Sequence, residues 1–170
     1  MKLKLFLLLI ISIFLSACDF HLRGNYDLPA QLQNIYVDYT QPNDALVQGL
    51  KRALRRAKVN VVNQVSQADY ILQIKSITQN PVLQATSTTG QVNTYAMQYT
   101  VKFSLQDKTG KDLLANQQVQ SSEYYTIASS QLATNFNQQP NLTPALQQDV
   151  INQIMFRLGS KNTENILATS

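Results

Sequence analysis

The chain has 170 residues, with 14 Lys and Arg against 10 Asp and Glu and a single Cys and a single His. One histidine excludes a multi-histidine metal site, and one cysteine excludes an internal disulfide. The formal charge of +4 owes much to Lys2 and Lys4 at the very start, in a segment marked for removal, so nucleic acid binding is not implied.

Lys2 and Lys4 form a positive end, Leu5 to Leu15 an apolar run, and Leu15, Ser16, Ala17 and Cys18 a small-residue close before the thiol. As a helix the run rises only about 16 Å, little more than half of a bilayer's hydrocarbon core, so it reads as a signal h-region rather than a membrane span. Residues 1–17 are therefore expected to be a lipoprotein signal peptide and Cys18 the acylated first residue of the mature chain. Each buried methylene contributes about 0.8 kcal/mol, so several acyl chains together make a durable membrane anchor. The mature chain is long enough for one domain with a moderate core.

After Cys18 come Asp19, Phe20, His21, Leu22, Arg23 and Gly24, then Leu28 and Pro29. This opening resembles that of the LptE family of LPS-assembly lipoproteins, although Asp19 stands where the family more often has a small residue. Asp in that place resembles an inner-membrane retention signal of enteric bacteria. The resemblance implies a lipid-anchored outer-membrane protein that plugs and helps assemble the LptD barrel and assists lipopolysaccharide delivery to the outer leaflet. The fold it implies is α+β.

Residues 18–34 read as a lipidated N-terminal segment and 35–159 as the folded domain. Ile35 to Tyr39 alternates like a short strand, and Pro42, Asn43 and Asp44 turn the chain and supply a helix cap. From Ala45 to Lys58 the period is helical: Leu46, Val47, Leu50, Leu54 and Ala57 share one face, and Lys51, Arg52, Arg55, Arg56 and Lys58 gather opposite. That basic face suits lipopolysaccharide or another phosphate-bearing anion, and the same pattern also describes a solvated helix face. Val59 to Val62 allows a further short strand.

Asp69 to Thr78 is a clearer strand, and Ala85 to Asn93 reads as a turn or loop. In Thr94 to Gln106, Tyr95, Met97, Tyr99, Val101, Phe103 and Leu105 alternate with Ala96, Gln98, Thr100, Lys102, Ser104 and Gln106, which predicts one core face and one wet face. A tight turn at Asp107 to Gly110 should form a hairpin with Leu113 to Thr126. Thr143 with Pro144 predicts a capped helix whose stripe is Leu146, Val150, Ile151, Ile154, Met155 and Leu158, ended by Gly159. Residues 160–170 carry no strong pattern and read as a mobile tail. The expected architecture is two amphipathic helices packed on one face of a roughly four-stranded mixed sheet.

Asn and Gln are frequent and charges few, so the surface is polar mainly through amides. The acids are dispersed, no phosphate-cradling glycine loop occurs, and no cofactor or metal is expected. These features point away from an enzyme and towards a binding module. The alternative to the LptE role is a lipoprotein scaffold of another cell-envelope complex.

Overall fold

A computed structural model describes residues 26–41, 43–128 and 141–169. The order is β1 (Asn34–Asp38), α1 (Ala45–Arg56), β2 (Asn60–Val61), a single 3-10 turn (Val65–Gln67), β3 (Tyr70–Thr86), β4 (Val92–Asp107), β5 (Asp112–Ala128), α2 (Thr143–Leu158) and α3 (Lys161–Thr169). One mixed sheet holds five strands in the order β2-β1-β3-β4-β5. The expected α+β layering is present, with five strands rather than four because the two-residue β2 joins the edge. β1 runs parallel to both neighbours, whereas β3, β4 and β5 form an antiparallel meander.

Helix α1 starts where Asp44 accepts the Leu46 amide at 2.8 Å, satisfying one of the orphan donors of the first turn. It ends at Arg56 rather than Lys58. The Lys58 amide bonds to the Arg55 carbonyl and the Val59 amide reaches back to the Leu54 carbonyl, both at 3.0 Å. This is a Schellman end, with Lys58 at φ 64° in the left-handed position that glycine usually takes. The reversal feeds Val59, buried beside Leu54 in the core cluster, into β2.

Helix α2 carries the predicted stripe, buried in full, but Leu142 is its N-cap and Thr143 its first residue. The Thr143 hydroxyl is engaged instead with the Gln79 side chain on β3, at 3.0 Å from Nε2. A Cβ on Gly49 would lie 2.6 Å from Ile151 Cδ1, so the glycine lets α1 and α2 cross closely. Both helices share one core cluster with Ile35, Val37, Leu72, Ile74, Tyr99, Val101 and Phe103 of the sheet.

Three further expectations are corrected. The segment read as a mobile tail forms α3, which buries Thr163 and Leu167 against the domain. The described part of the segment assigned to the lipidated N-terminus is packed into the domain, since Leu32 is a core residue and Gly159 lies under Asp27. A Cβ on Gly159 would meet the Asp27 carbonyl oxygen at 2.7 Å, and its φ of −86° is ordinary, so closeness rather than handedness calls for glycine there. Finally, Ala96 and Ser104, placed on the wet face by alternation, are buried, and the Ser104 hydroxyl has no hydrogen-bond partner among the described residues.

Bulges explain part of this. The β3–β4 register shifts between Ile74 and Ser76 and the β4–β5 register between Phe103 and Leu105, so both neighbours of β4 carry extra residues at one level. On β5 Asn116 takes φ 49°, and the Lys75 amine donates to its Oδ1 at 3.2 Å across β4. Such paired bulges bend the sheet and bring long side chains over a small one.

Candidate binding surface

The outer face of the helix layer is built by the amphipathicity of α1. With Leu46, Val47, Leu50, Ala53 and Leu54 buried, Arg52, Arg55 and Arg56 are directed outward and exposed, while Lys51 is half-buried. Arg55 and Arg56 lie in the last turn, where the helix dipole favours positive charge. Lys58 has left the helix and, together with Arg56, lines a cleft of about 540 Å³ with Asn34, Asn60 and the Pro29–Leu32 turn. The predicted five-residue cluster is thus a patch on α1 that Arg56 joins to the Lys58 cleft.

Between α1 and α2 runs an open groove of about 950 Å³, edged by Arg56 and Ala53 on one helix and Asn152, Phe156 and Arg157 on the other. Tyr26 crosses it, and its hydroxyl donates to Asn152 Oδ1, which also accepts from Gln148 Nε2 at 2.9 Å. Burial pushes the Tyr26 phenol up, with the Arg56 charge acting the other way, so at neutral pH it remains a donor. Phe156 is 76% exposed, and the Arg157 guanidinium reaches Gln117 of β5 at 2.8 Å. Tyr26, Phe156 and Arg157 were not singled out by the sequence pattern. The legible sign was Phe156, an aromatic residue off the apolar stripe of α2.

On the opposite side of the sheet no described element covers the strands. This open face is mostly amides and hydroxyls, with Gln73, Ser76 and Thr78 on β3, Gln98, Thr100 and the charged Lys102 on β4, and Gln118, Gln120 and Ser122 on β5. Neighbours bond across the ladder, as Thr100 Oγ1 does to Gln120 Oε1 at 3.3 Å. β3, β4 and β5 have 17, 16 and 17 residues, whereas α2 starts level with Gln79. The strands therefore run on by roughly 20 Å past the helix layer at about 3.3 Å per residue. Their outer ends expose Val82, Leu83, Val92 and Tyr124, with Tyr95 stacked on Tyr125 at 5.6 Å between ring centroids.

Among the described residues no group of three His, Cys, Asp or Glu side chains could hold a metal, and no helix is long and apolar enough to cross a membrane. Cys18, the expected acylation site, lies outside the described residues, as does His21.

Fold and surface together define a two-layer α+β module with one basic helical face and one amide-rich polar sheet face. The model of the LptE family, described as lipopolysaccharide-assembly, matches residues 32–158, and the chain belongs to that family. It is 34% identical over 71 residues to the LPS-assembly lipoprotein LptE of Pectobacterium atrosepticum, a stretch covering 41% of this chain and 39% of that protein. The chain thus spans about two fifths of that relative's length. The solution structure of an uncharacterized lipoprotein B from Nitrosomonas europaea superimposes with a TM-score of 0.66 at 20% identity, over 85% of this chain and 92% of that one. The crystal structure of a minor lipoprotein from Acinetobacter baumannii gives 0.53 at 19% identity, over 81% and 92%. Those two likenesses establish a shared fold.

Proposed function

We propose that this protein is an outer-membrane lipoprotein, anchored through acylated Cys18, that plugs and helps assemble an LptD-like β-barrel and assists lipopolysaccharide delivery to the outer leaflet. The observation that carries the reading is the open sheet face, broad, polar through amides and hydroxyls and sparsely charged, on strands that project past the helices. The interior wall of a large transmembrane barrel is polar, and a plug must match it without stranding ions in a narrow space. Amides suit that task because each offers donors and an acceptor to whatever the wall presents. Five strands spaced about 4.8 Å apart are roughly 20 Å across, a width that a large plugged barrel accommodates. The Lys51, Arg52, Arg55, Arg56 and Lys58 cluster supplies charge-assisted donors for lipid phosphates, and no step in this role requires a catalytic group or cofactor.

The test is site-specific photo-crosslinking in cells that express the full chain. A photoreactive residue at Gln98, Thr100 or Gln120 is expected to capture the barrel, and one at Arg55 to do so less. Capture of a different envelope protein at all three sheet positions, with no barrel in a tagged pull-down, would replace the plug reading by the scaffold one.

A further inference from the structure

The chain leaves the described domain at Tyr26, which sits in the groove of the helix layer beside Arg56 and Phe156. Cys18 lies eight residues earlier. At no more than about 3.6 Å per residue, an anchor there holds Tyr26 within about 29 Å of the bilayer surface. The face thus tethered carries Arg52, Arg55 and Arg56 on α1 and Arg157 on α2, against Asp149 as the carboxylate lining the groove. Beside Arg157 on α2 stands Phe156, the most exposed large hydrophobic side chain among the described residues. Basic residues around one exposed aromatic ring form the pattern of a surface that rests on anionic headgroups and dips a ring among the acyl chains.

We propose that the outer face of the helix layer, through Arg52, Arg55, Arg56, Phe156 and Arg157, docks on the anionic phospholipid leaflet that holds the Cys18 anchor. Docking in this way turns the open sheet face away from the membrane, where a protein partner can reach it before the domain is enclosed. The occupant is the phospholipid leaflet and not lipopolysaccharide, because the short tether delivers this face to its own leaflet. The inference rests on the anchor at Cys18 from the preceding reading and is independent of which barrel the sheet meets.

The chain has no Trp, so Phe156→Trp and, separately, Tyr124→Trp each install a single reporter, the second at the far strand ends. Full-length protein, its acylation verified by mass, is reconstituted into vesicles with brominated acyl chains. One set is phosphatidylcholine, one contains phosphatidylglycerol, and one contains lipopolysaccharide in its place. The Phe156→Trp protein should be blue-shifted and quenched in phosphatidylglycerol vesicles, weakly so in phosphatidylcholine, and the Tyr124→Trp protein in neither. Changing Arg52, Arg55 and Arg56 to Gln in the Phe156→Trp background, with far-UV circular dichroism unchanged, should reduce the docked-to-undocked ratio by roughly 100-fold. Quenching of the Tyr124→Trp protein instead, equal quenching in neutral vesicles, or quenching only with lipopolysaccharide would overturn the proposal. Absence of the acyl mass would remove the anchor, and with it the preceding reading, before any vesicle is made.

Discussion

Near the helices β4 buries Val101, Phe103 and Leu105 under α1 and α2, whereas toward the outer strand ends β3 leaves Leu83 54% exposed and β5 leaves Tyr124 67% exposed. Both regions carry β-branched, aromatic and aliphatic residues in the same strands. Leu83 has no described helix above it, and Tyr124 belongs to the face opposite the helices, as its pairing with Ala96 requires. Alternation tells which side chains share a face, and cover from a second layer or from neighbouring rings, as where Tyr95 stacks on Tyr125, decides how much of that face is buried. The region with two layers should therefore set the domain's stability, and the outer ends should be free to serve a partner.

The largest expected effect tests this directly. Phe103→Ala, at a site with no exposure, should cost about 3 to 5 kcal/mol, enough to unfold a domain of ordinary stability. Leu83→Ala should stay within about 0.5 kcal/mol, as surface substitutions do. Urea denaturation of the two variants measures both, and equal losses would erase the distinction between the halves.

A smaller effect should come from the strap that crosses the helix layer. Gly159→Ala puts a methyl group 2.7 Å from the Asp27 carbonyl oxygen, a backbone atom that must shift, at a cost of about 1 to 3 kcal/mol. Amide exchange should speed up in residues 26–32 while β4 keeps its protection. Unchanged exchange there would show that the strap is held elsewhere.

The smallest concerns the β4–β5 turn at the helix end of the sheet. Asp107 Oδ1 accepts from the Thr109 hydroxyl at 2.6 Å and from the Thr109 and Lys111 amides at 2.8 and 3.0 Å. The hydroxyl bond, with help from the amides and the Lys111 charge, holds this carboxyl below its ordinary value of 3.8. A depressed folded-state value means that the carboxylate's contribution is present above the ordinary value and is lost as pH falls through the depressed one. The Thr109 and Lys111 amide resonances should titrate together in that acid range, with the core resonances unmoved. Titration of those amides near neutral pH would contradict the arrangement.

Much of the helix layer was legible because its signals are local. The Asp44 cap, the apolar stripes of α1 and α2 and the basic face of α1 all follow from a period of 3.6 and from end chemistry. The α1 end was misplaced because Lys58 occupies a left-handed position without being glycine. The Thr143 hydroxyl looked like a cap because nothing nearby in sequence announces Gln79, 64 residues away, as its partner. α3 was missed because its burial is supplied by Thr163 and Leu167 alone, too few positions to make a period.

The candidate surface divides in the same way. Arg52, Arg55 and Arg56 share a face by spacing alone, so the sequence determined that patch, along with the family's opening residues and the expectation of an acylated Cys18. That Arg157, Phe156 and Tyr26 border one groove with Arg56 was decided by the helix crossing at Gly49 and by the strap laid over Gly159. Those contacts join residues more than a hundred positions apart, and a periodicity read over a dozen residues holds no information about them. The open sheet face arose likewise, since its amides alternate in sequence whether covered or bare. Only the placement of both long helices on the other side of the sheet left them facing outward.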